Sequence, residues 1–273
     1  MKTTQLTFGL SIFKNHRDLF YKSFLVIFIF FLGTIPAVSQ NTDSKFSAEI
    51  SFGASFPVGK FADKSNYQDT GSYLPGWAKT GPAIQLSFDY QIKKSYGLSL
   101  VFGGQENIQD ANSLIDNYKR YAHNLSDSIY YEANVQHWQI GKILAGGFIT
   151  MPLAKSGNLF LRPKLLIGAL KTSVPGYSVS VYQIMNGAYY PSAYGSVIPY
   201  SLNWTFCYEA EIALNYKLNS RIYLTANLNY FHASPSRSYT LYSFATSPPS
   251  SKYYDVQYPI SSFNLMIGAG FKF

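Results

Sequence analysis

From residue 45 onward the chain alternates apolar and polar positions with period two, in eight separate stretches. That period places successive side chains on opposite faces of a β-strand. In 46–56 the apolar set is Phe46, Ala48, Ile50, Phe52, Ala54 and Phe56, set against Ser47, Glu49, Ser51, Gly53 and Ser55. The pattern returns in 82–92, 96–105, 136–150, 159–170, 203–217, 221–231 and 260–273. In 159–170, for example, Leu161, Leu165 and Ile167 stand against Arg162, Lys164 and Gly168. Each stretch suits a tilted membrane strand of about 9–11 residues.

The connections alternate as regularly as the strands. Three are short: Lys93-Lys94-Ser95, Ala154-Lys155-Ser156-Gly157-Asn158 and Leu218-Asn219-Ser220. Four are long: 57–80, 105–135, 171–202 and 232–259. Short periplasmic turns and long extracellular loops are the outer-membrane arrangement. The last amphipathic stretch closes on Phe273, similar to the C-terminal aromatic signal read by the barrel-assembly machinery. Residues 45–273 resemble the small eight-stranded OmpA/OmpX-type barrels of the porin superfamily in Gram-negative outer membranes. The resemblance is one of pattern, and it implies an all-β, transmembrane, antiparallel up-and-down barrel of about eight strands. It also implies contact with outer-membrane lipids and lipopolysaccharide.

Composition agrees. Charged residues are 13% of the chain, against about 25% in soluble proteins. Aromatics are 18%, yet mean hydropathy is −0.04, which suits an apolar exterior around a polar interior. A soluble barrel of the lipocalin type would bury the apolar face instead. Here the opposite face holds too few charges to coat a soluble surface.

Lys14, Arg17 and Lys22 precede the apolar run 24–32, with Ala37 and Ser39 after it. This is the layout of an export signal. The expected domains are a cleaved leader, 1–39, and an outer-membrane barrel, 40–273. The single Cys207 excludes an internal disulfide.

The formal net charge is +8 and the pI about 9.3, but no loop concentrates the charge, so nucleic acid is not an expected partner. The excess sits at the short-turn ends: Lys45, Lys93, Lys94, Lys155, Lys217, Arg221 and Lys272. The expected lumen set is Glu49, Asp89, Lys142, Arg162, Lys164, Glu209 and Glu211. Counting from the turns puts Lys164 beside Glu211. The expected use is a salt-bridged plug, since eight strands leave room for side chains and little else. An ion path or gate is the alternative. Lys142 breaks the pattern if Trp138 and Ile140 face lipid, where a lysine costs about 2–4 kcal/mol. A β-bulge at Gly141 would turn Lys142 inward and Ile143 outward.

Candidate chemistry is sparse. His123, His137 and His232 show no metal-ligand spacing, and no cofactor is expected. Phe231-His232-Ala233-Ser234 resembles the F-H-x-S stretch of outer-membrane lipid A deacylases. The resemblance implies a general base at His232 and a nucleophile at Ser234 on the lipid face. Pro235 stands where that family has Asn, and the nearest following carboxylate is Asp255. The long loops are richer. Tyr189, Tyr190 and Tyr194 lie in loop three, and Tyr239, Tyr242, Tyr253 and Tyr254 in loop four, among Ser, Gly and Pro. That composition suits adaptable recognition. Loop two can form an amphipathic helix through Leu114, Ile115, Tyr118 and Tyr121.

The function expected is non-enzymatic: a barrel presenting loops that bind a surface protein, a glycan or lipopolysaccharide. The alternatives are a narrow porin-like passage for small or apolar solutes, and the His232/Ser234 hydrolase.

Overall fold

A computed structural model describes residues 45–65, 74–121, 129–155, 157–197, 199–243 and 250–273. The expected leader lies outside the described residues. Eight long strands form the barrel: β1 (Phe46–Pro57), β2 (Gly81–Lys93), β3 (Tyr96–Ile108), β4 (His137–Ile149), β5 (Leu159–Val174), β6 (Thr205–Lys217), β7 (Ile222–Ala233) and β8 (Ile260–Lys272). Each pairs antiparallel with the next. β8 returns to β1, from Ser47 opposite Lys272 to Pro57 opposite Ser262. No edge is left open, as a membrane strand requires.

The alternation sorts side chains as the sequence predicts. Phe52, Leu98, Leu165, Phe206, Ile212, Leu265 and Ile267 project outward, and Leu165 is 74% exposed. Glu49, Gln85, Asp89, Arg162, Lys164, Glu211 and Asn227 are buried inside. A continuous apolar wall of this size is unstable against water, so the wall faces lipid. The protein is a transmembrane up-and-down β-barrel. Among the described residues no helix is long and apolar enough to cross a membrane.

The short turns have local causes. At Leu218-Asn219-Ser220 the Asn219 side-chain oxygen accepts from the backbone N–H of Arg221 and Ile222, both at 2.8 Å. This is the Asx-turn chemistry that suits asparagine to such positions.

The long loops carry strands of their own. Tyr177–Met185 and Ala188–Val197 form a hairpin, and Ile129–Val135 of loop two joins it as a third strand. The hairpin turns at Asn186-Gly187, with φ of 51° and 75°, the conformation that favours Asn-Gly in tight hairpins. Ser236–Ser243 pairs with Ser250–Gln257 in loop four. The helix expected in loop two is α1, Ala111–Tyr121, with Leu114 buried. The side chains of Tyr118 and Tyr121 lie outside the description.

β4 corrects one expectation. Its pairing with β3 and β5 runs without a register shift through Gly141. There is no bulge. Lys142 is buried and Ile143 exposed, but by strict alternation, and Trp138 and Ile140 face inward with Lys142. Apolar character does not mean lipid here. At this end the barrel interior is itself apolar, so tryptophan and isoleucine are at home inside it.

Candidate functional site

The interior is layered. In the middle, side chains from strands on opposite walls meet. Asp89 of β2 accepts from Arg162 of β5 at 2.6 Å and from Ser99 at 2.6 Å. Lys164 of β5 lies 3.1 Å from Glu211 and 3.6 Å from Asp89. Gln85 of β2 donates across the lumen to Glu211 of β6 at 2.5 Å and accepts from Asn229 of β7 at 3.1 Å. Asn227 donates to Glu49 of β1 at 2.7 Å and to Ser51 at 3.2 Å. The side chains of Lys164 and Glu211 are fully sheltered. A buried charge needs a partner: Asp89 and Glu211 have cations, and Glu49 has the Asn227 amide.

Toward the long loops, Lys142 pairs with Glu209 and its ammonium sits 4.6 Å from the centre of the Phe231 ring. Gly103 lies opposite Lys142. A Cβ there would come within 2.5 Å of the lysine Cε, so glycine leaves room for the stem.

Above this pair the interior turns apolar. Leu166, Leu170, Val101, Ile140, Trp138, Val174 and Ile260 form one buried cluster. The loops complete it with Phe61, Ala78, Leu202 and Tyr258. Phe61 comes from the 3-10 turn Gly59–Phe61. It meets Trp138 edge to face, centroids 5.4 Å apart. The Trp138 indole donates to the Gly76 carbonyl at 2.8 Å. These loop contacts stopper the barrel.

Asp110 ties loops one and two together. It lies 2.8 Å from Lys64 and 3.2 Å from Lys79, and accepts from the Ser113 backbone at the start of α1. Burial alone would raise its pKa. The two ammonium groups and Ser113 more than offset that and hold the carboxyl well below the usual carboxylate range.

All seven lumen residues expected from the sequence are buried inside: Asp89, Arg162, Lys164 and Glu211 in one ion-paired set, Lys142 with Glu209 in another, and Glu49 against Asn227. The expected His232/Ser234 pair does not come together. His232 faces outward, and its Nδ1 hydrogen-bonds the Ser261 hydroxyl of β8 at 2.7 Å. Its ring packs on Tyr208 at 5.4 Å. Ser234 is exposed beyond the strand end. Among the described residues no group of His, Cys, Asp and Glu has metal-site geometry.

Tyr189 and Tyr190 are exposed on the loop-three hairpin. Sequence reasoning places Tyr182 in loop three with them but missed their neighbour Tyr130 in loop two. The rings of Tyr130, Tyr182 and Tyr189 lie within 5.4–6.4 Å of one another. The alternation in 177–184 ahead of Asn186-Gly187 was the available signal for this hairpin. Tyr194, Tyr239, Tyr242, Tyr253 and Tyr254 sit on loop strands, with Tyr239 opposite Tyr254. Their side chains lie outside the description.

No family model and no curated protein matches the chain. Among solved structures it is similar to Neisserial surface protein A, at 10% identity and a TM-score of 0.40, over 84% of this chain and 98% of that one. It is similar to a major outer membrane protein from Thermus thermophilus, at 11% identity and a TM-score of 0.42, over 84% and 99%. It is also similar to the outer membrane protein OprG from Pseudomonas aeruginosa, at 13% and 0.40, over 84% and 97%. The eight-stranded closure and the apolar wall, rather than these likenesses, define the architecture.

Proposed function

We propose that this protein is a non-enzymatic outer-membrane barrel that holds a β-structured platform for recognition at the cell surface. The observation that carries this is the tyrosine cluster on the loop sheet. Tyr130, Tyr182 and Tyr189 pack edge to face or tilted on paired strands, and Tyr130 and Tyr189 remain 46% and 59% exposed. Aromatic rings held on paired strands lose little freedom on binding, so they suit an anchor role. The expected ligand is a partner protein, a glycan or lipopolysaccharide. The filled lumen argues against a solute passage, and the His232–Ser261 bond argues against a His232/Ser234 hydrolase.

The test is binding of purified lipopolysaccharide and a glycan array to the protein in lipid nanodiscs. Retention of one ligand class by the wild type, lost in Tyr130→Ser/Tyr189→Ser, supports the platform. Equal binding by both forms, together with steady single-channel conductance, would favour the passage instead.

A further inference from the structure

The short-turn mouth of the lumen carries a group of three cations. Phe160 of β5 is buried on the inner face. Around its ring lie Lys217 of β6 at 5.4 Å, Arg162 at 5.4 Å and Lys272 of β8 at 5.9 Å from the centroid. Arg162 is engaged by Asp89 on its inner side. Among the described residues neither Lys217 nor Lys272 has an Asp or Glu carboxylate within salt-bridge distance. The nearest lumen carboxylates are taken deeper inside: Asp89 by Arg162 and Lys164, Glu211 by Lys164 and Gln85, and Glu49 by Asn227.

Unused donors face the same place. Tyr223 of β7 is 1% exposed and its hydroxyl finds no acceptor, and Arg162 Nε is likewise buried without one. The Tyr223 ring is kept there at some cost to its neighbours. A Cβ at Gly270 would fall within 2.1 Å of it, so only glycine fits opposite. Buried donors without acceptors and like charges sharing a ring are each unfavourable. One anion would relieve both. Outside the mouth the rim adds exposed Lys45, Lys155 and Arg221, which would draw an anion in.

We propose that Lys217, Lys272, Arg162 and Tyr223 form an anion site at the short-turn mouth of the barrel that takes a phosphate group. Phe148 and Phe160 line the site, 4.7 Å and 5.4 Å from the Arg162 guanidinium. The phosphate would accept from both ammonium groups, from Arg162 Nε and from the Tyr223 hydroxyl. Its source is an anionic lipid headgroup or free phosphate. The site depends on barrel geometry alone and stands apart from whatever the loops bind.

The test is native mass spectrometry of the detergent-solubilised barrel, with inorganic phosphate in one arm and short-chain phosphatidylglycerol in the other. The wild type is expected to carry an adduct in at least one arm, which identifies the source. Lys217→Gln/Lys272→Gln should lower the bound fraction about tenfold, the scale of a lost charge-assisted hydrogen bond. Lys93→Gln/Lys94→Gln, on the exposed turn, should leave it unchanged. Lys217→Arg/Lys272→Arg keeps the charge and should retain binding if the glutamine pair fails to fold. A wild type without an adduct in either arm overturns the proposal, as does an equal loss from the turn variant.

Discussion

The two halves of the barrel interior fill the same width with opposite chemistry. Near the middle and the short turns, Asp89, Arg162, Lys164, Glu211, Gln85 and Asn227 bridge wall to wall by directional contacts. Near the long loops, Trp138, Ile140, Leu170, Val174 and Ile260 fill the space by packing. The polar half involves the barrel strands alone. The apolar half recruits Phe61, Leu202 and Tyr258 from loops. The division shows what each filling is suited to. Hydrogen-bonded charges fix which strand faces which, because a slipped register leaves a charge unpaired. Apolar packing is indifferent to such detail and serves to seat segments that lack strand partners.

Breaking the polar half should have the largest effect. Lys164→Met leaves Glu211 without its ammonium partner and Asp89 with one fewer, and should cost about 3–5 kcal/mol in urea unfolding from lipid vesicles. Lys164→Met/Glu211→Leu should recover much of that loss. A single variant as stable as the wild type would show that the network is not a set of obligate pairs.

Opening the apolar half should cost less globally and more locally. Trp138→Ala removes the surface on which Phe61 rests and should cost roughly 3 kcal/mol. Its signature is proteolysis within 58–65 while the strands stay protected. Protection of that segment in the variant would mean that Phe61 does not hold loop one.

The smallest effect belongs to Asp110, which lies outside the barrel. Its folded pKa is depressed, so its contribution is full above the unfolded carboxyl value, about 3.9. The contribution falls as pH drops below that value toward the folded one. Limited proteolysis of loops one and two should therefore be flat between pH 7 and about 5 and rise below about 4. Asp110→Asn should be cleaved more readily at neutral pH and lose this dependence.

Much of this architecture is legible in the sequence because period-two alternation maps directly onto lipid and lumen faces. The pairing of Lys164 with Glu211 follows from counting out of the turns, since they are direct register partners. Trp138 and Ile140 misled because the equation of apolar with outward holds only where the interior is polar. Cross-lumen partners such as Gln85 and Glu211 are 126 residues apart, and no local spacing encodes them. The same holds for His232 and Ser261, which adjacent strands bring together. The loop-three hairpin was readable from its Asn-Gly turn. Its third strand was not, because Ile129–Val135 arrives from a different loop.

The wall-to-wall network has a consequence for assembly. Glu49 and Gln85 stand on the first two strands, and their partners Asn227, Glu211 and Asn229 arrive on the sixth and seventh. A half-built sheet in a bilayer would expose those early polar groups to hydrocarbon with nothing to meet them. Insertion strand by strand is therefore uphill until the late strands arrive. The chain must gather its polar faces inward before it commits to lipid, and the last seam, β8 against β1, locks an interior that is already matched.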